Sequence, residues 1–144
     1  MRILALHVDY FKSEITEKGR SKLIEEYTSP VVEVREALIV LSAVEKQDEL
    51  DCETISAKTV DEIAELAGKL KTKTIVIHPF AHLFGELASP QIAVQILKAI
   101  ESNLGISGFN VIRTPFGWFN TLEFKAKGHP LSRVSRIITA KKDK

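Results

Sequence analysis

The chain has 144 residues, 44% of them hydrophobic and 27% charged, enough apolar material for a proper core, so residues 1–144 read as a single domain. Twenty lysines and arginines stand against nineteen acidic residues, which excludes a strong overall field for phosphate backbones; any contact with nucleic acid has to be local. The single cysteine, Cys52, cannot form an internal disulfide, and no Cys/His cluster shows metal-ligand spacing, so no metal or cofactor is implied and a reduced, cytoplasmic setting fits best.

The apolar run at the start is too short for a secretory signal or a membrane span, and the basic tail Lys141-Lys142-Asp143-Lys144 reads as a solvated end. Residues 3–8 alternate Ile3, Ala5 and His7 with Leu4, Leu6 and Val8, an opening strand in which His7 is a hydrogen-bonded core residue. Residues 10–30 are mixed and charged, with a basic Lys18-Gly19-Arg20 segment, and read as a loop or short irregular excursion. Residues 31–44, rich in Val, Ile and Leu, fit a long buried strand or a pair of strands, with Glu33, Arg35 and Glu36 marking a wet first half.

Across residues 54–70, Val60, Ile63, Ala64, Ala67 and Leu70 recur at the spacing of an amphipathic helix. A short strand over residues 74–77 follows, ended by Pro79. The second helix is better marked: Ser89 can cap it, Pro90 suits its first turn, Ile92, Ile96, Ile100 and Leu104 face inward, and Gly105 can close it. Residues 109–114 read as a strand and Pro115-Phe116-Gly117 as a turn. From Trp118 onward Trp118, Asn120, Leu122, Phe124 and Ala126 share one face of a strand, while Phe119, Thr121, Glu123, Lys125 and Lys127 share the other. A Gly128-His129-Pro130 turn leads into residues 131–138, whose state periodicity leaves open. Strands interleaved with two main flanking helices give an α/β class with a mixed β-sheet.

No P-loop, dinucleotide glycine pattern, nucleophile elbow or metal-binding helix motif is present, so the enzyme classes those mark lose support. The remaining polar groups stand at strand ends, where sites gather: His78-Pro79-Phe80-Ala81-His82 and Pro115-Phe116-Gly117-Trp118-Phe119-Asn120. His82 can polarise a nucleophile near neutral pH, or it is a loop histidine without chemistry. Asn120, polar within an apolar row, either satisfies a buried backbone group or faces a pocket. His78 finishes its strand, His129 belongs to its turn, and Trp118 and Phe116 serve either the core or base stacking.

Taken in order, Met1-Arg2-Ile3-Leu4-Ala5-Leu6-His7-Val8-Asp9-Tyr10, Ala43-Val44-Glu45-Lys46, His78-Pro79-Phe80-Ala81-His82-Leu83, Pro115-Phe116-Gly117-Trp118 and Lys127-Gly128-His129-Pro130-Leu131 resemble the N-terminal editing domain of archaeal threonyl-tRNA synthetases over essentially the whole chain. The resemblance implies a fold like that of D-aminoacyl-tRNA deacylases, a homodimer, and removal of L-serine from tRNA(Thr). It places the seryl group in a pocket lined by Val44, Glu45, Pro79, Ala81, Phe116 and Gly117, with the 2′-hydroxyl of the terminal adenosine helping to place the attacking water. His82 matches the polar set of that family. Where the best-known relatives carry a tyrosine and then a lysine, this chain has Phe119 and Asn120, and where they carry a glutamate it has Arg133. The implied site is therefore His82 and Asn120 as reacting groups, with Phe119 and Arg133 against the substrate. Asn120 keeps a hydrogen-bond donor but no charge, and Arg133 either restores that charge or touches phosphate. Three other readings remain in view: a D-aminoacyl-tRNA deacylase, whose Gly-Pro element is absent here; a catalytically silent tRNA-binding or dimerisation module; and an unrelated α/β binding protein. No ATP-binding or anticodon-binding motif appears, so the expected partners are serine-bearing tRNA(Thr) and the remaining domains of, or a separate, threonyl-tRNA synthetase, with no membrane involved.

Overall fold

The structure, a computed structural model, describes residues 1–141; Lys142, Asp143 and Lys144 of the basic tail lie outside the described residues. Strands β1 (Arg2–Lys18) and β2 (Val31–Ala43) come first, then a 3-10 turn (Lys46–Leu50), helix α1 (Cys52–Leu70), strand β3 (Thr74–Pro79) and helix α2 (Pro90–Ile106). Strands β4 (Asn110–Arg113), β5 (Trp118–Ala126) and β6 (Arg133–Ile137) complete the order. They form a six-stranded mixed sheet in the order β4-β3-β2-β1-β5, with β6 also pairing β1. β2, β3 and β4 are parallel, and β1 is antiparallel to β2, β5 and β6.

The long first strand corrects the loop expected over residues 10–30, because pairing continues to Lys18. The alternation of Phe11, Ser13 and Ile15 with Lys12, Glu14 and Thr16 was present in the sequence, but its phase changes. Register with β5 slips between Val8 and Tyr10 and again between Ile15 and Glu17, and a bulge shifts the side-chain period by one. Opposite the first slip, Glu36 of β2 takes a left-handed conformation at φ 50°. Both strands therefore swap faces at one crease: Leu6, Val8, Ile39 and Leu41 before it share a cluster with Phe11, Val32 and Val34 beyond it. Lys127 ties the crease, donating to Asp9 and, at 3.2 Å, to Glu36.

The crease curls the sheet. β6 pairs only with the first part of β1 and β5 only with the part from Val8 onward, so the far half of β1 turns over the second face and its end returns to the turn that follows β4. Helices α1 and α2 cover the first face, packing Ile63, Ala67, Ile96, Ile100 and Leu104 on Ile3, Ala5, Leu38, Val40, Ile75 and Ile77. Burying these side chains is the main force holding helices to sheet. Asp51 caps α1 through Thr54 and Ser89 caps α2 through Ile92, with Pro90 in its first turn. Gly105 stays inside α2; the glycine that closes it is Gly108, at φ 99°. Residues 131–138, left open by the sequence, contain an edge strand. Among the described residues no helix is long and apolar enough to cross a membrane.

His129 is more than a turn residue. Its Nε2 lies 2.9 Å from Nδ1 of buried His7, whose Nε2 lies 3.1 Å from Thr72 Oγ1. His129 Nδ1 accepts from the Leu131 amide, which leaves Nε2 as the protonated nitrogen of the neutral ring. The proton order is then fixed from Leu131 through both rings to Thr72.

Candidate functional site

The parallel strands β2, β3 and β4 all end on one side of the sheet, and the returning end of β1 approaches from above. Between them lies a cleft of about 510 Å³. Ser42 and Val44 line it from the end of β2, and His78 to His82 from the end of β3. Leu87, Ala88 and Pro90 come from the start of α2, Phe116 and Gly117 from the turn after β4, and Trp118, Phe119, Asn120 and Leu122 from β5. Gly19, Arg20 and Ser21 complete its rim. Strand ends and the loops leaving them carry few obligatory backbone pairs, so they can present unpaired polar groups to a ligand.

The Pro-Phe-Gly turn is rigidly held. Gly117 sits at φ 95°, and a β-carbon there would come 2.6 Å from the Leu23 carbonyl. Gly19 presses on the same turn: its amide donates to Gly117 O at 2.8 Å, and a β-carbon on it would come 2.6 Å from that oxygen. Only glycine fits either place. Glu25 pins the turn from below by accepting from the Phe116 amide at 2.9 Å and forming a two-pronged ion pair with Arg113, which also reaches Glu101 at 2.9 Å. Burial works to raise the Glu25 carboxyl, but the bonds from Arg113 and Phe116 outweigh it and hold it below the usual carboxylate range. The Trp118 indole donates to Glu25 O at 2.7 Å.

His78 is 2% exposed, its Nδ1 lies 2.8 Å from Thr114 Oγ1, and its ring stands edge-on to Phe11. Burial pushes its pKa down to about 4, so it is a neutral wall of the cleft at physiological pH. His82, by contrast, is exposed, stacked edge-on to Phe80 with ring centres 5.2 Å apart, and makes no hydrogen bond among the described residues. Among the described residues the amides of Ala81 and His82 also have no acceptor, although the Phe80 amide donates to Ser42 O at 2.8 Å. Asn120 lines the cleft with its side chain uncommitted among the described residues, which favours the pocket-facing of its two readings.

The structure thus brings together His82, Asn120, Val44, Pro79, Ala81, Phe116, Gly117 and Phe119. It does not bring Glu45 or Arg133 to the cleft. Glu45 is 6% exposed and its carboxylate lies 3.3 Å from Arg2 Nε and 3.2 Å from the Met1 amine, a contact of ion-pair distance without hydrogen-bond alignment. Its part is indirect, because the neighbouring Val44 O and Lys46 N hold Ala88 and Glu86. Arg133 is exposed on β6, opposite Leu6 of β1, where the sheet has an edge rather than a mouth. Residues missed from the sequence are His78, Ser42 and Arg20. His78 was visible in its motif, whereas nothing in the sequence signals that the chain after β1 returns to the cleft. Among the described residues no group of three or more His, Cys, Asp or Glu side chains is placed to hold a metal ion.

An α/β domain whose curled sheet holds a cleft at its strand ends, walled by backbone and apolar groups with a few uncommitted donors among the described residues, has the form of a ligand-binding domain. Residues 1–138 match the family described as the archaea-specific editing domain of threonyl-tRNA synthetase, and the chain belongs to that family. It is 43% identical to a threonine–tRNA ligase of Methanocaldococcus jannaschii over 144 residues, all of this chain and 23% of that protein. A second such ligase, from Thermococcus sibiricus, is 44% identical over 140 residues, and a third, from Methanopyrus kandleri, 42% over 141; each alignment covers 96% of this chain and 22% of the relative. The chain therefore spans less than a quarter of the length of the curated relatives it matches.

Proposed function

We propose that this chain is an editing hydrolase that cleaves the ester of L-seryl-tRNA(Thr) and spares threonyl-tRNA(Thr), within threonyl-tRNA synthetase or in trans to it. The observation that carries the reading is the cleft, whose walls are backbone and apolar groups while His82, Asn120 and two amides stay uncommitted. Serine lacks one methyl of threonine, and one methyl discriminates by only about 1 to 3 kcal/mol in a binding pocket, so a second, hydrolytic site is needed. Here the seryl group enters between Val44, Pro79, Ala81 and the Phe116-Gly117 turn, where a threonine methyl meets the wall.

Water attacks the ester carbonyl, placed by the 2′-hydroxyl of the terminal adenosine and by His82. The developing oxyanion is met by the Ala81 and His82 amides. The carbon–oxygen bond to the ribose 3′-oxygen then breaks, and the proton lost by the water goes to that oxygen. Asn120 donates a hydrogen bond and carries no charge. No cofactor enters this scheme. The whole of residues 1–144 acts as one cytoplasmic editing unit with a D-aminoacyl-tRNA deacylase-like fold, as a homodimer. A catalytically silent tRNA-binding module is the second reading, favoured by Asn120, which cannot take a proton, and by Arg133, which lies outside the cleft.

The test is hydrolysis by the purified chain of seryl- and threonyl-tRNA, both on tRNA(Thr), at neutral pH, with a D-aminoacyl-tRNA alongside. Loss of serine alone supports editing. Loss of the D-amino acid alone moves the chain to the deacylase class, and binding without any turnover leaves the silent module.

A further inference from the structure

The end of the crease-bearing strand and the four residues after it, 18–22, carry an unusual charge. Lys18, Arg20 and Lys22 are all exposed, and none forms an ion pair or side-chain hydrogen bond with another described residue. No acid lies within residues 18–22; of the flanking acids, Glu25 is consumed by Arg113, while exposed Glu17 forms no ion pair with another described residue. The segment is also built in place rather than draped. Gly19 and Gly117 pack backbone on backbone, the Glu25 amide donates to Phe116 O at 3.0 Å, and the Glu25–Arg113 pair locks the far side. The backbone that carries three exposed cations without ion pairs is thereby held against the turn that walls the cleft, with Arg20 on the rim itself.

The chain as a whole carries a formal charge of only +1, so it has no general attraction for polyanions and a polyanionic ligand needs a local binding strip. We propose that residues 18–22 form a phosphodiester-binding strip, which holds the RNA backbone just upstream of the terminal nucleotide as that strand leaves the cleft. The inference rests on the editing reading for the identity of the RNA, and on the exposed cations for its place. Phosphate contacts of this kind position a strand without reading its sequence. Each released counterion makes affinity fall with salt, so the strip leaves a measurable slope.

The experiment is binding of uncharged tRNA(Thr) to the whole chain, followed by fluorescence anisotropy over a range of salt concentrations. The K18Q/R20Q/K22Q variant is compared with the charge-matched control K69Q/K71Q/K73Q, three exposed lysines at the α1–β3 turn, where β3 begins rather than ends. The strip variant is expected to bind about 10- to 30-fold more weakly at low salt and to lose about 2 to 3 from the slope of log affinity against log salt. The K18R/R20K/K22R variant, which keeps the charge, is expected to bind like the parent. Equal losses in strip variant and control, or an unchanged slope in the strip variant, would overturn the proposal. A chain that hydrolyses no aminoacyl-tRNA yet loses tRNA affinity only in the strip variant would sink the editing reading and leave the strip standing; active hydrolysis with unchanged binding would do the reverse.

Discussion

Two corners of this molecule are built from the same kinds of residue and are used oppositely. At the crease, Lys127 is held by Asp9 and Glu36, His129 by Leu131 and His7, and His7 by Thr72. Nearly every donor and acceptor there is matched inside the protein. At the cleft, His82, Asn120 and the amides of Ala81 and His82 have no such match among the described residues. Both corners come from short segments, Lys-Gly-His-Pro-Leu and His-Pro-Phe-Ala-His-Leu, that lie within the residues matching the family. The lesson is that a motif marks importance of either kind, and only the tally of satisfied partners separates a brace from a reacting group.

The sharpest way to break this comparison is at the one ion pair that serves the cleft while fully committed. Arg113→Met leaves the Glu25 carboxylate largely buried without its partner and is expected to cost about 3 kcal/mol of stability, read by urea denaturation. A loss under half a kcal/mol would mean the Phe116 turn is held without the ion pair, by its glycines and its bonds to Glu25. Next comes acid. His78 is kept neutral in the fold, with its pKa lowered from 6.5 to about 4, so between those values the unfolded chain binds the extra proton. Stability from this group is therefore complete above about pH 6.5 and drains away as pH falls toward 4, by up to about 3 kcal/mol. The lowered pKa values of His7 and Glu25 act in the same direction. Unfolding curves at pH 4.5 and 7 should therefore differ more for the parent than for His78→Leu; identical pH dependence would mean the ring is solvated in solution.

A crossed pair tests the two corners directly. On the editing reading, His82→Ala should slow seryl-tRNA hydrolysis about 10- to 100-fold while leaving the melting temperature within about one degree. His129→Ala should do the converse, stranding His7 Nδ1 at a cost of about 1 to 2 kcal/mol with hydrolysis intact well below the melting point. If His129→Ala abolished turnover in a folded protein, the crease would have to be counted as part of the site. The smallest effect belongs to Asn120→Ala, expected to slow hydrolysis by no more than about fivefold, the worth of one hydrogen bond. Complete loss would contradict a site in which backbone groups and the RNA hydroxyl hold the water and side chains only tune it.

Much of the architecture is legible in the residues, and the failures have physical causes. Ser89 and Pro90 announce α2, and the row Trp118, Asn120, Leu122 announces β5, because local rules decide both. The outer half of β1 was hidden by a change of phase, since Phe11 and Ser13 continue the face of Val8 only across a bulge. His129 reads as a turn residue in the sequence because its partner His7 lies 122 positions away. Glu45 and Arg133 were carried to the site by likeness of neighbouring segments, and likeness along a chain does not say which way a strand faces. His78 reads only as a strand end, because nothing in the local sequence shows that β3 ends in a cleft.

The crease also makes the molecule a lever. From Tyr10 to Lys18 the outer arm of β1 is roughly 30 Å long at about 3.3 Å per residue, and it carries β5, hence Asn120 and Trp118, at its far end. Each degree of opening at Asp9 and Glu36 therefore swings that end by about half an ångström, close to a third of a carbon–carbon bond. On the editing reading, a pocket that tells apart two amino acids by one methyl has its aperture set by the hinge angle that Lys127 clamps.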